Sequence, residues 1–132
     1  MIFADTVYLL ALLSPQDQWH ERARHISESS RERVVTTGWV LIETGNGLAR
    51  TANRKMFAQF VRDLQAARDV EIAPATMESF ESGLELYEAR PDKEWSLTDC
   101  ISFAVMRERG VTEALTSDHH FEQAGFRVLL KD

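Results

Sequence analysis

The sequence predicts an α/β domain whose central, mostly parallel sheet of about five strands is covered by helices on both faces. Short apolar runs alternate with amphipathic segments at helical spacing along the chain. Two of those runs lead into an aspartate, Ile-Phe-Ala into Asp5 and Ala-Leu-Thr-Ser into Asp118. In doubly wound sheets, ligands bind outside the carboxyl ends of the strands. Acids at such ends are therefore the first residues to weigh.

The elements follow in order. Ile2–Asp5 is a first strand, and Thr6–Leu13 a short helix ended by Ser14-Pro15. Gln16 to Ser30 reads as an amphipathic helix with Trp19, Ala23 and Ile26 on one face. The β-branched run Arg33–Thr37 is a second strand. Trp39 to Arg50 is helical, though weakened by Gly45 and Gly47. Arg54 to Arg68 is a stronger helix with Phe57, Phe60, Val61 and Leu64 on one face. Val70–Ala73, closed by Pro74, is a third strand, and Thr76–Glu88 a helix. Ser96–Glu108 is a helix ending at Gly110, a residue suited to the left-handed C-terminal position. Ala114–Thr116 is a fourth strand, His119–Ala124 a helical turn, and Phe126–Leu130 a last strand.

Residues 1–132 are expected to form one domain, with no linker, repeat or low-complexity tract. Hydrophobic residues make up 44%, enough for a core, but no stretch is long enough to span a membrane. The apolar run Val7–Leu13 lacks the preceding cation and following small-residue site of a signal peptide, so it reads as buried structure. A single cysteine, Cys100, excludes an internal disulfide and fits a cytoplasmic location. The net charge of −6 argues against nucleic-acid binding by bulk charge alone. It stays compatible with a nuclease whose carboxylates converge on a metal, because a bound cation inverts the local charge.

Asp5 and Asp118 converge if their strands are neighbours. Glu43 lies in Trp-Val-Leu-Ile-Glu-Thr-Gly-Asn-Gly, sharing a helix face with Val40 and Gly47. A carboxylate on so apolar a face is costly to bury unless paired or metal-bound. Asp99 lies in the first turn of an apolar helix. Three or four such carboxylates can hold a hard divalent cation, which activates water and neutralises phosphodiester charge. Each acid also has a purely structural reading. Ser96 and Asp99 have the spacing of a capping box, Asp5 and Asp118 can cap the helices after them, and Glu43 can be an exposed helix residue. The residues alone therefore point to an acidic metal site without excluding these readings. No nucleophile elbow, phosphate-binding glycine loop or Cys/His zinc spacing is present.

Four pieces together resemble the PIN-domain family: Ile-Phe-Ala-Asp-Thr (2–6), Val-Leu-Ile-Glu-Thr (40–44), Ser-Leu-Thr-Asp-Cys (96–100) and Leu-Thr-Ser-Asp-His-His-Phe (115–121). The resemblance runs from Ile2 to Leu130 and implies a three-layer α/β/α PIN-like domain. It places the family's acids on Asp5, Glu43, Asp99 and Asp118, around Mg²⁺ or Mn²⁺, for cleavage of single-stranded or loop RNA. The small VapC-like form further implies the toxin of a toxin–antitoxin pair, with an antitoxin partner and a homodimer. Thr6 and Ser96 resemble hydroxyl residues flanking the acids. Many relatives carry another acid beside the last one; here Ser117 precedes Asp118, and Ser117 and Glu122, one turn later, are the candidate supporting residues on this side of the site. One firmly held ion is expected, with a second arriving with RNA.

Two alternatives accompany this reading. A receiver-like phosphoryl-transfer domain needs a lysine at the strand ends, and Lys55, Lys93 and Lys131 close none. A non-catalytic binding module would keep the fold without turnover. His119 and His120 adjoin Asp118 and read as structural or supporting residues, since oxygen-rich Mg²⁺ sites seldom use imidazole. Glu78, Glu81, Glu85 and Glu88 recur at helical spacing as a solvated face. Arg50, Arg54 and Lys55 belong to a segment, Leu48–Val70, with five basic and two acidic residues, and are candidates for RNA phosphate contact. Charge reversal at these three positions is expected to slow RNA cleavage, measured as the initial rate on one RNA. A rate equal to wild type contradicts the contact.

Overall fold

The computed structural model of the chain describes residues 1–131. The apolar runs form strands β1 (Ile2–Ala4), β2 (Val34–Thr37), β3 (Val70–Ala73), β4 (Glu113–Leu115) and β5 (Arg127–Val128). Between them lie helices α1 (Thr6–Leu13), α2 (His20–Ser29), α3 (Gly38–Gly47), α4 (Thr51–Ala66), α5 (Met77–Ala89), α6 (Leu97–Arg109) and α7 (His119–Gln123).

The strands form one sheet in the order β3-β2-β1-β4-β5, every pair parallel. The chain first builds outward from β1 through β2 to β3. It then returns to add β4 on the other side of β1, so the order reverses between β1 and β4. Phe3 pairs with Ala114 and Ala4 with Leu115 across that junction. The carboxyl ends of β1 and β4, outside which ligands bind in such sheets, lie side by side at Ala4 and Leu115, the point at which Asp5 leaves β1.

β1 is wholly buried, as a strand covered on both faces must be. Behind the sheet, Phe103 of α6 packs edge-on against Phe121 of α7 and against Trp95, at 4.9 and 5.1 Å between ring centres. The indole N–H of Trp95 donates to Gln123 Oε1 at 3.0 Å. This aromatic group fixes the start of α6 relative to α7, and so Asp99 relative to Asp118. Helix α6 ends at Gly110, whose φ of +67° is the left-handed conformation that favours glycine.

Several boundaries move from their sequence-based positions. Helix α2 begins at His20, because Pro15 and the Asp17 side chain, which accepts from the Trp19 N–H, hold 14–19 in turns. α3 stops at Gly47 rather than Arg50, and α4 starts at Thr51 rather than Arg54. β5 keeps only Arg127 and Val128 of the expected Phe126–Leu130. The phenyl faces of α4 are half-buried, and that helix contributes no fully buried residue. No helix among the described residues is long and apolar enough to cross a membrane.

Helices α5 and α6 are in close contact at Gly83, where an added Cβ would lie 2.2 Å from Ile101 Cγ1 and 2.9 Å from its backbone. Backbone contact of that kind cannot be relieved by a rotamer change. Gly83→Ala is therefore expected to lower stability by about 1–3 kcal/mol despite alanine's better helix propensity, read as a fall in the denaturant midpoint. An unchanged or higher midpoint contradicts the close packing.

Candidate active site

Asp5 follows β1 and is the N-cap residue of α1, but its side chain makes no cap hydrogen bond. Its carboxylate turns instead to β4. The Thr116 hydroxyl donates to Asp5 Oδ2 at 2.8 Å and accepts the Asp118 backbone N–H at 3.1 Å. One threonine thus joins both strand-end acids. Asp5 is 3% exposed, and no Lys or Arg among the described residues pairs with it. Burial, and then the charges of Asp99 and Glu43, push its carboxyl from 3.8 to about 7. The Thr116 hydroxyl and Thr6 backbone N–H oppose that shift.

Asp99 combines the two roles open to it. It completes a capping box at the start of α6: its N–H donates to Ser96 Oγ at 3.0 Å, and its Oδ2 accepts the Ser96 N–H at 3.3 Å. The same buried carboxyl is raised above its ordinary value by burial, and then by Asp118. Asp118 caps α7 by accepting the His120 N–H at 2.9 Å. His120 Nδ1 stands 3.3 Å from Asp99 Oδ2 and 3.4 Å from Asp118 Oδ1. Capping fixes the backbone ends of these carboxylates while leaving oxygen lone pairs for another ligand.

Glu43 corrects the expectation of a buried helix acid. The buried face of α3 is Val40 and Thr44, and Glu43 itself is exposed. It is nevertheless tied in, because the Thr6 hydroxyl donates a short hydrogen bond to its Oε1. Its charge is felt at Asp5. Glu122, in contrast, leaves the group: it is exposed, and its carboxylate pairs with Lys131 at 2.7 Å. Ser117 is half-buried, and the hydroxyl that serves the acids is Thr116, one residue earlier. Arg50, Arg54 and Lys55 lie exposed where α3 turns into α4; Arg54 donates to the Ala49 carbonyl at 3.2 Å.

Thr116 and His120 are the residues sequence reasoning undervalued. Thr116 carried a signal, a hydroxyl residue at the end of a strand two positions before an acid. His120 carried none beyond adjacency. The four carboxylates are linked as a chain of neighbours, Glu43 with Asp5, Asp5 with Asp99, and Asp99 with Asp118. Among the described residues, the group whose ligand atoms lie mutually within 4.8 Å is Asp118, His119 and His120.

Neighbouring acids at the reversal point of a parallel sheet, with no Lys or Arg among the described residues paired to Asp5, define an α/β domain with an acidic site at its strand ends. The chain belongs to the PIN domain family, whose model matches residues 2–127. It is 32% identical over 126 residues to the 23S rRNA-specific endonuclease VapC20 of Mycobacterium tuberculosis, covering 96% of this chain and 95% of that protein. The crystal structure of VapC20, described as a sarcin-ricin loop cleaving toxin, superposes with a TM-score of 0.84 at 30% identity, covering 96% of each chain. FitAcB from Neisseria gonorrhoeae shares the fold, with a TM-score of 0.71 at 21% identity over 98% of this chain and 96% of that one.

A proton held on Asp5 in the folded state but released in the unfolded chain makes stability depend on pH. That contribution is complete below about pH 3.8 and is lost as pH rises through about 7. In chelator, wild type is expected to lose stability relative to Asp5→Asn across this window, by up to about 1.4 kcal/mol per pH unit. Denaturant unfolding at stepped pH measures it. A difference between the two proteins that stays flat contradicts the uncompensated burial of Asp5.

Proposed function

We propose that this protein is a Mg²⁺- or Mn²⁺-dependent endoribonuclease, the toxin of a toxin–antitoxin pair, acting in the cytoplasm on single-stranded or loop RNA. The observation that carries the reading is the buried Asp5 carboxylate, coupled to Asp99 and Glu43 and lacking any Lys or Arg counter-charge among the described residues. Such a group is stabilised best by a bound cation. The all-oxygen donors Asp5, Glu43, Asp99 and Asp118 suit a hard divalent ion. Family membership and the endonuclease activity of VapC20 support phosphodiester cleavage. The 23S rRNA specificity of that relative makes a ribosomal RNA loop the first substrate to test.

In this reading Asp5 and Asp99 would hold the ion, with Glu43 and Asp118 as its further oxygen donors. When bound, the ion supplies Lewis acidity to the attacking water and the phosphodiester. Thr116 keeps one Asp5 oxygen engaged and so aims the other; Thr6 does the same for Glu43. The water oxygen bonds to phosphorus in line as the bond from phosphorus to the 3′ oxygen breaks. The water gives up a proton and the 3′ oxygen gains one, leaving a 5′-phosphate and a 3′-hydroxyl. Arg50, Arg54 and Lys55 offer phosphate contacts within an otherwise acidic protein. An antitoxin and a second copy of the chain are the proposed protein partners.

The receiver-like alternative loses its footing, because no lysine among the described residues pairs with Asp5 or Asp118, and Lys131 is engaged by Glu122. The test is cleavage of 23S rRNA and of unstructured RNA by purified, partner-free protein. Asp5→Asn is expected to abolish metal-dependent cleavage, at least about 100-fold, while keeping the wild-type circular dichroism spectrum. An active Asp5→Asn protein contradicts the assignment. A folded wild type that binds metal but cuts no RNA favours a binding module.

A further inference from the structure

His119 and His120 stand on Asp118 in a way that capping does not account for. His120 Nδ1 lies 3.4 Å from Asp118 Oδ1, and His119 Nδ1 lies 3.8 Å from the same oxygen. Good hydrogen bonds between nitrogen and oxygen fall at about 2.7–3.2 Å, so both contacts are long. Two ligands on one tetrahedral ion, each bonded at about 2.0–2.2 Å, lie about 3.4 Å apart. The His120–Asp99 separation of 3.3 Å has the same length. The two imidazole rings are 4.4 Å apart between centres, tilted by 48°. Among the described residues, neither ring has a hydrogen-bond partner outside Asp99 and Asp118.

We propose that Asp118, His119 and His120 form a distinct site for a borderline divalent ion of the Zn²⁺ or Co²⁺ class, sharing Asp118 with the oxygen-donor site. Imidazole suits such ions, whereas Mg²⁺ keeps oxygen ligands and octahedral geometry. Three protein ligands leave a fourth position open to water. His119 is 65% exposed, which provides an entry path for the ion. Asp99, buried and 3.3 Å from His120, belongs to the oxygen-donor set. The site rests on the nuclease reading in one respect, the shared Asp118. An ion held by the histidines draws that carboxylate away from the Mg²⁺ shell, so Zn²⁺ is expected to inhibit cleavage supported by Mg²⁺.

The test is a Co²⁺ titration of the full chain after chelator treatment, followed by proton NMR and visible absorption. Bound Co²⁺ should give two exchangeable, paramagnetically shifted imidazole N–H resonances. His119→Ala and His120→Ala should each remove one and weaken Co²⁺ binding at least about 10-fold, and His119→Ala should change Mg²⁺ affinity less than about twofold. His119→Ala carries the test if His120→Ala fails to fold, since the His119 side chain is largely in solvent. Co²⁺ binding without imidazole resonances, or unchanged in His119→Ala, overturns the site. Failure of the nuclease reading looks different: Co²⁺ binding would still need both histidines, while wild type would cut no RNA in Mg²⁺.

Discussion

The hydrogen bond from the Thr116 hydroxyl to Asp5 closes the seam between the two central strands, and the site is arranged around it. β1 and β4 are parallel neighbours only because the chain reverses its direction of sheet growth between them. That reversal leaves two strand ends with no helix crossing directly above them. Thr116 fills the seam by donating to Asp5 and accepting from the Asp118 backbone. The position of Asp118, the start of α7 and the placement of His120 all descend from this contact. The aromatic packing of Phe103 on Phe121 and Trp95 then sets the depth of α6, and Asp99 with it.

The arrangement sets stability against function. A carboxylate that is 3% exposed and near two others raises the energy of its charged form, and the hydrogen bonds it accepts recover only part of that. The protein does not place a Lys or Arg there among the described residues, although its surface carries many. A permanent counter-charge would stabilise the metal-free fold and occupy the place of a divalent ion. Uncompensated acids at a site, tolerated because the surrounding core is well packed, are the usual mark of a binding function. The same logic reconciles the proposed action on RNA with a net charge of −6: a cation held by these acids would reverse the local charge.

Much of this was legible in the sequence, for identifiable reasons. Strands bounded by Pro74 and by acids are short enough that local pattern decides them, and all five were placed within a few residues. The boundaries that moved were those governed by a side chain's particular hydrogen bond, such as Asp17 holding the turn before α2. Asp5, Asp99 and Asp118 were readable because strand ends and a capping spacing locate them. Glu43 was found by position but misjudged in burial: Thr44, not Glu43, faces the core, and a hydroxyl from α1 holds the carboxylate at the rim. Choosing Ser117 over Thr116 turned on which of two adjacent hydroxyls points toward β1, which depends on the pleat. Glu122 was lost to Lys131, a partner nine residues away that no periodicity suggests. His120 depends on how α7 packs against α6, a tertiary fact.

The most direct test of the central claim, that the buried Asp5 awaits a divalent cation, is calorimetric titration of chelator-treated protein with Mn²⁺ in buffers of different ionisation enthalpy near pH 6.5. With its carboxyl held up to about 7, Asp5 carries a proton there much of the time, so ion binding must expel it. The expected result is Mn²⁺ binding accompanied by proton release, with both the release and most of the affinity lost in Asp5→Asn. Mn²⁺ binding of equal strength and proton count in wild type and Asp5→Asn would contradict it.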